Sequence, residues 1–177
     1  MFEDRVELPR VYMAWHSPAM YEEGDAEMDL LAHLLANGKT SRLYRTLVYE
    51  QRMAVDVSAY QSSRELGSFF LVVATAAPGK SLTDIAGAID QELQRAIEAG
   101  PSAVEMERAE AQIEAHFMYG LQTVGGFGGK SDQLNAYNVF RGDPGFFARD
   151  IDRYAGATQD SVRAVTERVV HFDRRVV

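Results

Sequence analysis

The chain has 177 residues, of which 46% are hydrophobic and 25% charged, a composition typical of a globular protein and not of a disordered or fibrous one. It contains no cysteine, which excludes disulfide bonds, thiolate zinc sites and cysteine nucleophiles. The net charge of −8, without a basic stripe, argues against nucleic-acid binding and favours solubility.

The first part of the chain carries one strand pattern and two helix patterns. Residues 9–16 predict a strand buried on both faces, because both alternating sets of side chains are largely apolar. Residues 25–36 predict a helix with acidic residues in its first turn. A second helix, capped by Thr40 or Ser41, is expected to continue to about Arg52.

A hairpin and the clearest helix come next. Residues 54–61 and 68–76 are rich in β-branched and aromatic residues, and a polar connection between them predicts two antiparallel strands. Residues 82–99 have the apolar periodicity of a helix, and Ser81 is the expected N-cap. A capping box at 102–105 predicts a further helix directly afterwards.

The last third of the chain has helical patterns that glycine interrupts. Gly125 to Gly129 predict a break between two helices, since glycine disfavours a helix interior. Asp143-Pro144 is expected to start another helix, and Thr158 to cap the last one. Residues 174–177 have strand character but predict a truncated final strand. The order of elements predicts an α+β fold, a mainly antiparallel sheet with helices packed on one side.

The residue chemistry indicates no self-contained active site. The four histidines are scattered, and neither H-x-x-E-H nor H-E-x-x-H occurs. Glu110, Glu114 and His116 are close in sequence, but Glu114 and His116 point in different directions from a helix, so we interpret the three as a solvated helix face. We therefore expect no catalytic residue and no metal ligand in this chain.

The glycine-rich segment 125–131 lacks the spacing and the preceding strand of a phosphate-binding loop, and we interpret it as a flexible connection.

The longest apolar run, residues 69–77, is far shorter than the roughly 20 residues of a membrane-spanning helix. The first ten residues contain no apolar signal-peptide core. The sequence leaves the compartment open between bacterial cytoplasm and periplasm. A core position is expected for five aromatic residues: Trp15, Phe69, Phe70, Phe146 and Phe147.

Residues 38–60, GKTSRLYRTLVYEQRMAVDVSAY, resemble the second domain of zinc metallopeptidases of the pitrilysin/insulinase/mitochondrial processing peptidase family. Three further stretches resemble that domain in the expected order. They are VELPRVYMAW, GSFFLVVATAAPGKSLTD and VGGFGGKSDQLNAYNVFRGDPGFFARDIDRYAGATQDSV. Together they extend the resemblance over nearly the whole chain.

The resemblance implies that residues 1–177 form a single non-catalytic domain of a longer, multi-domain protein, with the LuxS/processing-peptidase-like inactive-domain fold. In the family, zinc is bound by an inverted H-x-x-E-H motif in the first domain, so zinc is expected in a sister domain. The second domain closes over unfolded peptide substrate. The implied partners are that sister domain, a second half or subunit, and the peptide. An exposed apolar face could also produce a homodimer of the isolated domain.

The resemblance also bears on peptide binding. In the half of these enzymes that grips substrate, an arginine is followed seven residues later by a tyrosine. These positions correspond here to Val48 and Val55, whose side chains cannot donate a hydrogen bond. Arg42, Tyr44 and Arg45 lie nearby with a different spacing, and we interpret them as surface and packing faces of the second helix. The resemblance therefore implies a domain of the zinc-bearing half. Its wall of the substrate chamber would make apolar contact with the peptide but no hydrogen bonds through these two positions.

Two alternatives remain open. The first is a purely structural homologue, such as the core subunits of respiratory complex III, which share this fold and serve assembly. The second is an independent enzyme acting on a small molecule through a triad that only the folded chain assembles. A polar pocket with a perturbed titratable pair would support this second alternative.

Overall fold

A computed structural model describes residues 7–177, so Val6, at the start of the stretch that resembles a first strand, lies outside the described residues. In chain order the elements are β1 (Arg10–Ser17), α1 (Asp25–Ala36), a π-helix (Tyr44–Glu50), β2 (Ala54–Ser62), β3 (Ser68–Ala76), α2 (Leu82–Ala99), α3 (Ala103–Gln122), α4 (Lys130–Arg141), α5 (Phe147–Ala155) and α6 (Gln159–Val169). The predicted α+β fold is confirmed. No helix among the described residues is both long and apolar enough to cross a membrane.

The three strands form one antiparallel sheet in the order β1–β3–β2, so that β3 pairs with both of the others. Residues 174–177 add one antiparallel bridge to the free edge of β1. In this bridge Ala14 and Val176 exchange two backbone hydrogen bonds, of 2.9 and 3.0 Å. The predicted truncated strand is thus a bridge of one residue pair.

Helices cover one face of the sheet and build the core with it. Val11, Met13 and Trp15 of β1 point into this core, where they pack with Phe70 of β3 and with apolar side chains of α1 and α2. Tyr12, on the other face of β1, is 51% exposed. The prediction that β1 is buried on both faces is therefore wrong. A strand with apolar side chains on both faces fits a sheet covered on both sides as well as a sheet covered on one side. The pattern therefore does not reveal whether a second layer is present.

Side-chain caps start three helices where the sequence places them. Ser81 accepts a hydrogen bond from the backbone N–H of Asp84 at the start of α2. A reciprocal capping box begins α3, formed by Ser102 and Glu105. Thr158 begins α6 in the same way. Each cap satisfies backbone donors that have no partner within their own helix.

The second predicted helix differs in its start and its winding. Helical winding begins at Arg42 and takes π geometry over Tyr44–Glu50. The Ser41 hydroxyl does not cap this helix, because it donates to the carbonyl oxygen of Gly38 at 2.7 Å. Arg52 has a left-handed φ of 52° and lies in the turn to β2, beyond the helix.

The helix predicted from Asp143-Pro144 begins later, at Phe147. The Asp143 side chain accepts a hydrogen bond from the backbone N–H of Gly145 at 2.8 Å, which holds the preceding residues in a turn. Two of the aromatic residues predicted for the core lie outside it: Phe147 is only half-buried, and Phe69 is 40% exposed. Phe69 lies on the sheet face that the helices leave open.

Candidate interaction surfaces and the buried polar network

The sheet face opposite the helices has an apolar and aromatic centre, with Arg10, Asp56 and His16 toward its ends. Tyr12 pairs with Val73, and Leu71 lies between Ala14 and Tyr60. Tyr12 is 51% exposed and Tyr60 is 45% exposed. The name "open sheet face" is used below for one set of residues that share this side of the sheet: Tyr12, Ala14, Tyr60, Phe69, Leu71, Val73 and Val176.

The open sheet face has the character of an interaction surface. Contiguous exposed apolar patches are uncommon on monomeric proteins and mark sites where another surface binds. Tyr12 and Tyr60 each combine an apolar ring with a hydroxyl group. Such side chains suit an interface with an apolar centre and a hydrated rim. The sequence predicted an apolar face of this kind, but it did not indicate which element carries it.

Val48 and Val55 lie at the positions that the sequence assigns to them. Val48 is in the π-helix, half-buried against the core. Val55 is the second residue of β2 and is 48% exposed, at a bulge between Ala54 and Asp56. A 2.8 Å hydrogen bond from the backbone N–H of Met53 to the Leu47 carbonyl oxygen closes the turn between them. A part for these two valines in peptide binding stays a prediction.

Arg42 ties the start of the π-helix region to the start of α3. Its guanidinium donates to both carboxylate oxygens of Glu105, at 2.7 and 2.8 Å, and to the carbonyl oxygen of Gly100 at 2.8 Å. Hydrogen bonding from Arg42 lowers the pKa of Glu105 to about 2. Tyr44 packs against the core, and Arg45 is exposed. All three side chains thus have the structural character expected of them.

A network of buried polar side chains centred on Arg153 joins α1, α4 and α5. Arg153 donates to Asp25 at 2.8 Å and to Asp150 at 2.7 Å. The Tyr137 hydroxyl also donates to Asp150, at 2.8 Å. Burial raises the pKa of Asp150, against the opposing effects of Tyr137 and Arg153. The network supplies charged contacts between these helices.

Asp25 has further partners in β2 and the hairpin loop. One carboxylate oxygen accepts from Gln61 at 3.2 Å and from the Ser63 hydroxyl at 2.6 Å, and the other accepts from the backbone N–H of Tyr21 at 2.9 Å. Among the described residues, no buried side-chain nitrogen or oxygen lacks a hydrogen-bond partner. A carboxylate satisfied in this way holds structure together and is not free to act as a general base.

Asp29 and Tyr154 form a separate, half-buried pair between α1 and α5. The Tyr154 hydroxyl donates to Asp29 at 2.8 Å. Burial raises the pKa of Asp29 to about 7 and raises that of the Tyr154 phenol as well. No local pattern predicts the Arg153–Asp25 pair or the Tyr154–Asp29 pair, because the members of each lie more than 100 residues apart.

Of the two features that would support an independent enzyme, a perturbed titratable pair is present in Asp29 and Tyr154, but the cleft that Tyr154 lines is mainly apolar. In the part of the chain that the structure describes, His33 hydrogen-bonds to Gln112 and Asn37, and no histidine hydrogen-bonds to a serine or a carboxylate. Within residues 7–177, no three histidine, aspartate or glutamate side chains come together in a group that could hold a metal ion. The residues Glu110, Glu114 and His116 share α3 without meeting at a metal-binding geometry.

A three-stranded antiparallel sheet with helices packed on one face and an exposed face on the other defines an α+β domain. Residues 2–113 match the family of the peptidase M16 inactive domain. The chain therefore belongs to this family, which confirms the predicted relationship to the zinc metallopeptidases. No curated protein matches the sequence.

Solved structures share this fold at low sequence identity. A protease from Helicobacter pylori superposes with a TM-score of 0.85 at 20% identity, over 98% of this chain and 41% of the protease chain. The inactive peptidase domain of a predicted zinc protease from Bordetella parapertussis superposes with a TM-score of 0.83 at 22% identity, over 99% of this chain and 93% of that domain. A chain of complex III2 from Candida albicans superposes with a TM-score of 0.79 at 16% identity, over 97% of this chain and 42% of the complex III2 chain. This chain thus spans less than half the length of the Helicobacter protease.

Proposed function

We propose that this chain is the substrate-enclosing and structural domain of a zinc-dependent endopeptidase, with no chemistry of its own. Residues 1–177 form one domain of a longer protein, and the zinc belongs to a sister domain. The open sheet face carries the proposal. It exposes three aromatic side chains that the helices leave uncovered, and it lies on the three-stranded antiparallel sheet.

Docking of the sister domain explains the composition of the open sheet face. A β-sheet with two apolar faces reaches its most stable form when a second layer covers each face. The helices cover one face, and Tyr12, Tyr60 and Phe69 of the other remain 40–51% exposed. The 41% coverage of the Helicobacter protease is consistent with a chain that has a partner domain of similar size.

Contact with an unfolded peptide is the second part of the proposal. A domain that closes over substrate needs an apolar wall that accepts many sequences. Val55 is exposed at the start of β2, and Val48 lies half-buried across the turn. Both offer only apolar contact, so the specific hydrogen bonds to a peptide backbone would come from a second half or subunit that carries an arginine and a tyrosine.

Reconstitution with the zinc-bearing domain of the parent protein tests the docking. We expect the two domains to form a complex, and we expect Tyr12→Asp to weaken it strongly, because the substitution places a charge in an apolar interface. Tyr119→Asp is the matched control, since Tyr119 is a 69% exposed tyrosine on α3, away from the sheet. Equal effects of the two substitutions would contradict docking through the open sheet face.

An assembly subunit without peptidase activity is the second candidate function. The fold shared with a chain of complex III2 favours it. The two candidates differ in the sister domain, which must contain an intact H-x-x-E-H motif in a peptidase. The full open reading frame, followed by zinc analysis of the full-length protein, separates them. One bound zinc per protein supports the peptidase, and its absence supports the assembly role.

A further inference from the structure

A cleft separates the middle of α3 from α5 on the helical side of the molecule. Its volume is about 200 Å³. Both helices pack on α1, which itself packs on β2, so the cleft lies apart from the open sheet face. Its lining is apolar at the centre and acidic at one side: Glu110, Ile113, Glu114, Phe117, Ile151, Tyr154 and Ala155.

Aromatic contacts hold the walls of the cleft in place. The ring of Phe117 meets that of Tyr154 edge-on, with centroids 5.5 Å apart, and that of Phe147 at 5.8 Å. Ile113 is 6% exposed and anchors this part of α3 in the core. The Tyr154 hydroxyl donates to Asp29 at 2.8 Å and Arg153 lies over the Tyr154 ring, so Tyr154 is held in place as a wall of the cleft. The walls are therefore formed before any ligand binds.

The acidic side of the cleft lacks a compensating cation. Glu110 and Glu114 are one turn apart on α3, a spacing at which like charges disfavour the helix. Within residues 7–177 neither carboxylate takes part in an ion pair. The neighbouring Arg153 is committed to Asp25 and Asp150. A cation from another molecule would relieve this repulsion.

We propose that the cleft binds an arginine side chain from a segment of a partner protein. The aliphatic stem of arginine matches the apolar centre formed by Ile113 and Ile151. Its planar guanidinium stacks on aromatic rings and forms forked hydrogen bonds with carboxylates, the two features that Phe117 and Glu110 offer. Lysine provides the charge without the planar fork. The negative net charge of the whole chain favours the approach of a basic segment.

This site is independent of the proposed docking of the sister domain to the sheet, so the two proposals can fail separately. The test is a titration of the complete chain with N-acetyl-arginine-N-methylamide, followed by NMR of the Ile113 and Ile151 methyl groups. We expect saturable shifts in the millimolar range. The citrulline analogue has nearly the same shape without the charge, and we expect it to bind at least about tenfold more weakly, because a charged hydrogen bond is lost.

The acidic side is tested by the double variant Glu110→Gln with Glu114→Gln, which should weaken arginine binding by about tenfold or more. A double variant that loses two exposed carboxylates elsewhere, Glu65→Gln with Glu167→Gln, has the same net charge and should bind like the unmodified chain. Absence of saturation, equal binding of the citrulline analogue, or equal loss in both double variants would overturn the proposal. The citrulline comparison uses the unmodified chain, so misfolding of a variant cannot obscure the answer.

Discussion

Arg153 on α5 and Asp25 at the start of α1 are 128 residues apart in the chain and are joined by a hydrogen bond of 2.8 Å. The Arg153 side chain is 17% exposed and that of Asp25 is 3% exposed, so the charged pair is screened from water. Asp150 shares the same guanidinium at 2.7 Å. Two buried carboxylates therefore depend on one arginine.

Replacement of this arginine should destabilise the fold strongly. Arg153→Met leaves Asp25 and Asp150 buried without their cation, and removal of one partner of a buried ion pair costs about 3–5 kcal/mol. Urea unfolding of the variant measures the loss. Arg149→Met is the control, because Arg149 is 63% exposed on the same helix and its loss should change stability by about 1 kcal/mol or less. Similar losses in the two variants would contradict the buried network.

The pKa of Asp29 predicts how stability depends on pH. Its carboxyl group titrates at about 7 in the folded chain, against an ordinary value of 3.8, chiefly because of burial. Between these values the unfolded chain loses the proton and the folded chain keeps it, so the contribution of Asp29 to stability falls as pH rises from about 4 to about 7. The full loss is on the order of 4 kcal/mol. Four neighbouring groups also act on the pKa of this carboxyl: Tyr154 and Arg153 lower it, and Asp25 and Asp150 raise it.

Asp29→Asn should remove this part of the pH dependence. The asparagine oxygen still accepts the Tyr154 hydroxyl, but it carries no titrating proton. We expect the free energy of unfolding of the variant to fall less between pH 4 and pH 7 than that of the unmodified chain. Asp152→Asn, a change at an exposed carboxylate on α5, should leave the slope as it is. A variant slope identical to that of the unmodified chain would show that Asp29 titrates normally.

Local sequence signals predicted the elements well, because helix periodicity and capping boxes act within a few residues. Ser102 with Glu105 and Thr158 with Ser161 begin helices where the pattern indicates. The single-sided burial of β1 was missed, because the residues of β1 carry no information about layers made elsewhere in the chain. The π geometry over Tyr44–Glu50 was also missed, because the apolar periodicity of this segment does not distinguish π from α winding.

The candidate sites also differ in whether short segments or long-range packing determine them. The positions of Val48 and Val55 could be predicted, since they follow from short segments that the family resemblance covers. The Arg153 network could not, because an Asp at position 25 and an Arg at position 153 show no relationship until α5 packs on α1. The cleft beside Glu110 likewise requires two helices that the glycine-rich connection and α4 separate in the chain.

Self-association of the isolated chain should occur through the open sheet face. An exposed aromatic patch of this kind drives association when its natural cover is absent. We expect sedimentation equilibrium to show a concentration-dependent dimer, which Tyr12→Asp abolishes and Tyr119→Asp preserves. A clean monomer at high concentration would contradict this prediction.

Affinity for an unfolded peptide should be low. Val48 and Val55 provide no hydrogen bond, whereas each charged hydrogen bond contributes about 1.5–3 kcal/mol. We expect titration with an unstructured peptide to give a dissociation constant in the high micromolar range or weaker. This corresponds to a binding free energy on the order of −5 kcal/mol. The combination of Val48→Arg and Val55→Tyr should strengthen binding. Nanomolar binding by the unmodified chain would show that this domain belongs to the gripping half.

The most direct test of the central claim is peptide hydrolysis measured on the zinc-bearing domain of the parent protein, with and without this chain. We expect no hydrolysis by this chain alone, and a clear rise in hydrolysis when the chain is added to the zinc-bearing domain. Tyr12→Asp should reduce this rise. Hydrolysis by this chain alone, or a zinc-bearing domain whose activity is the same with and without it, would contradict a non-catalytic domain that encloses substrate.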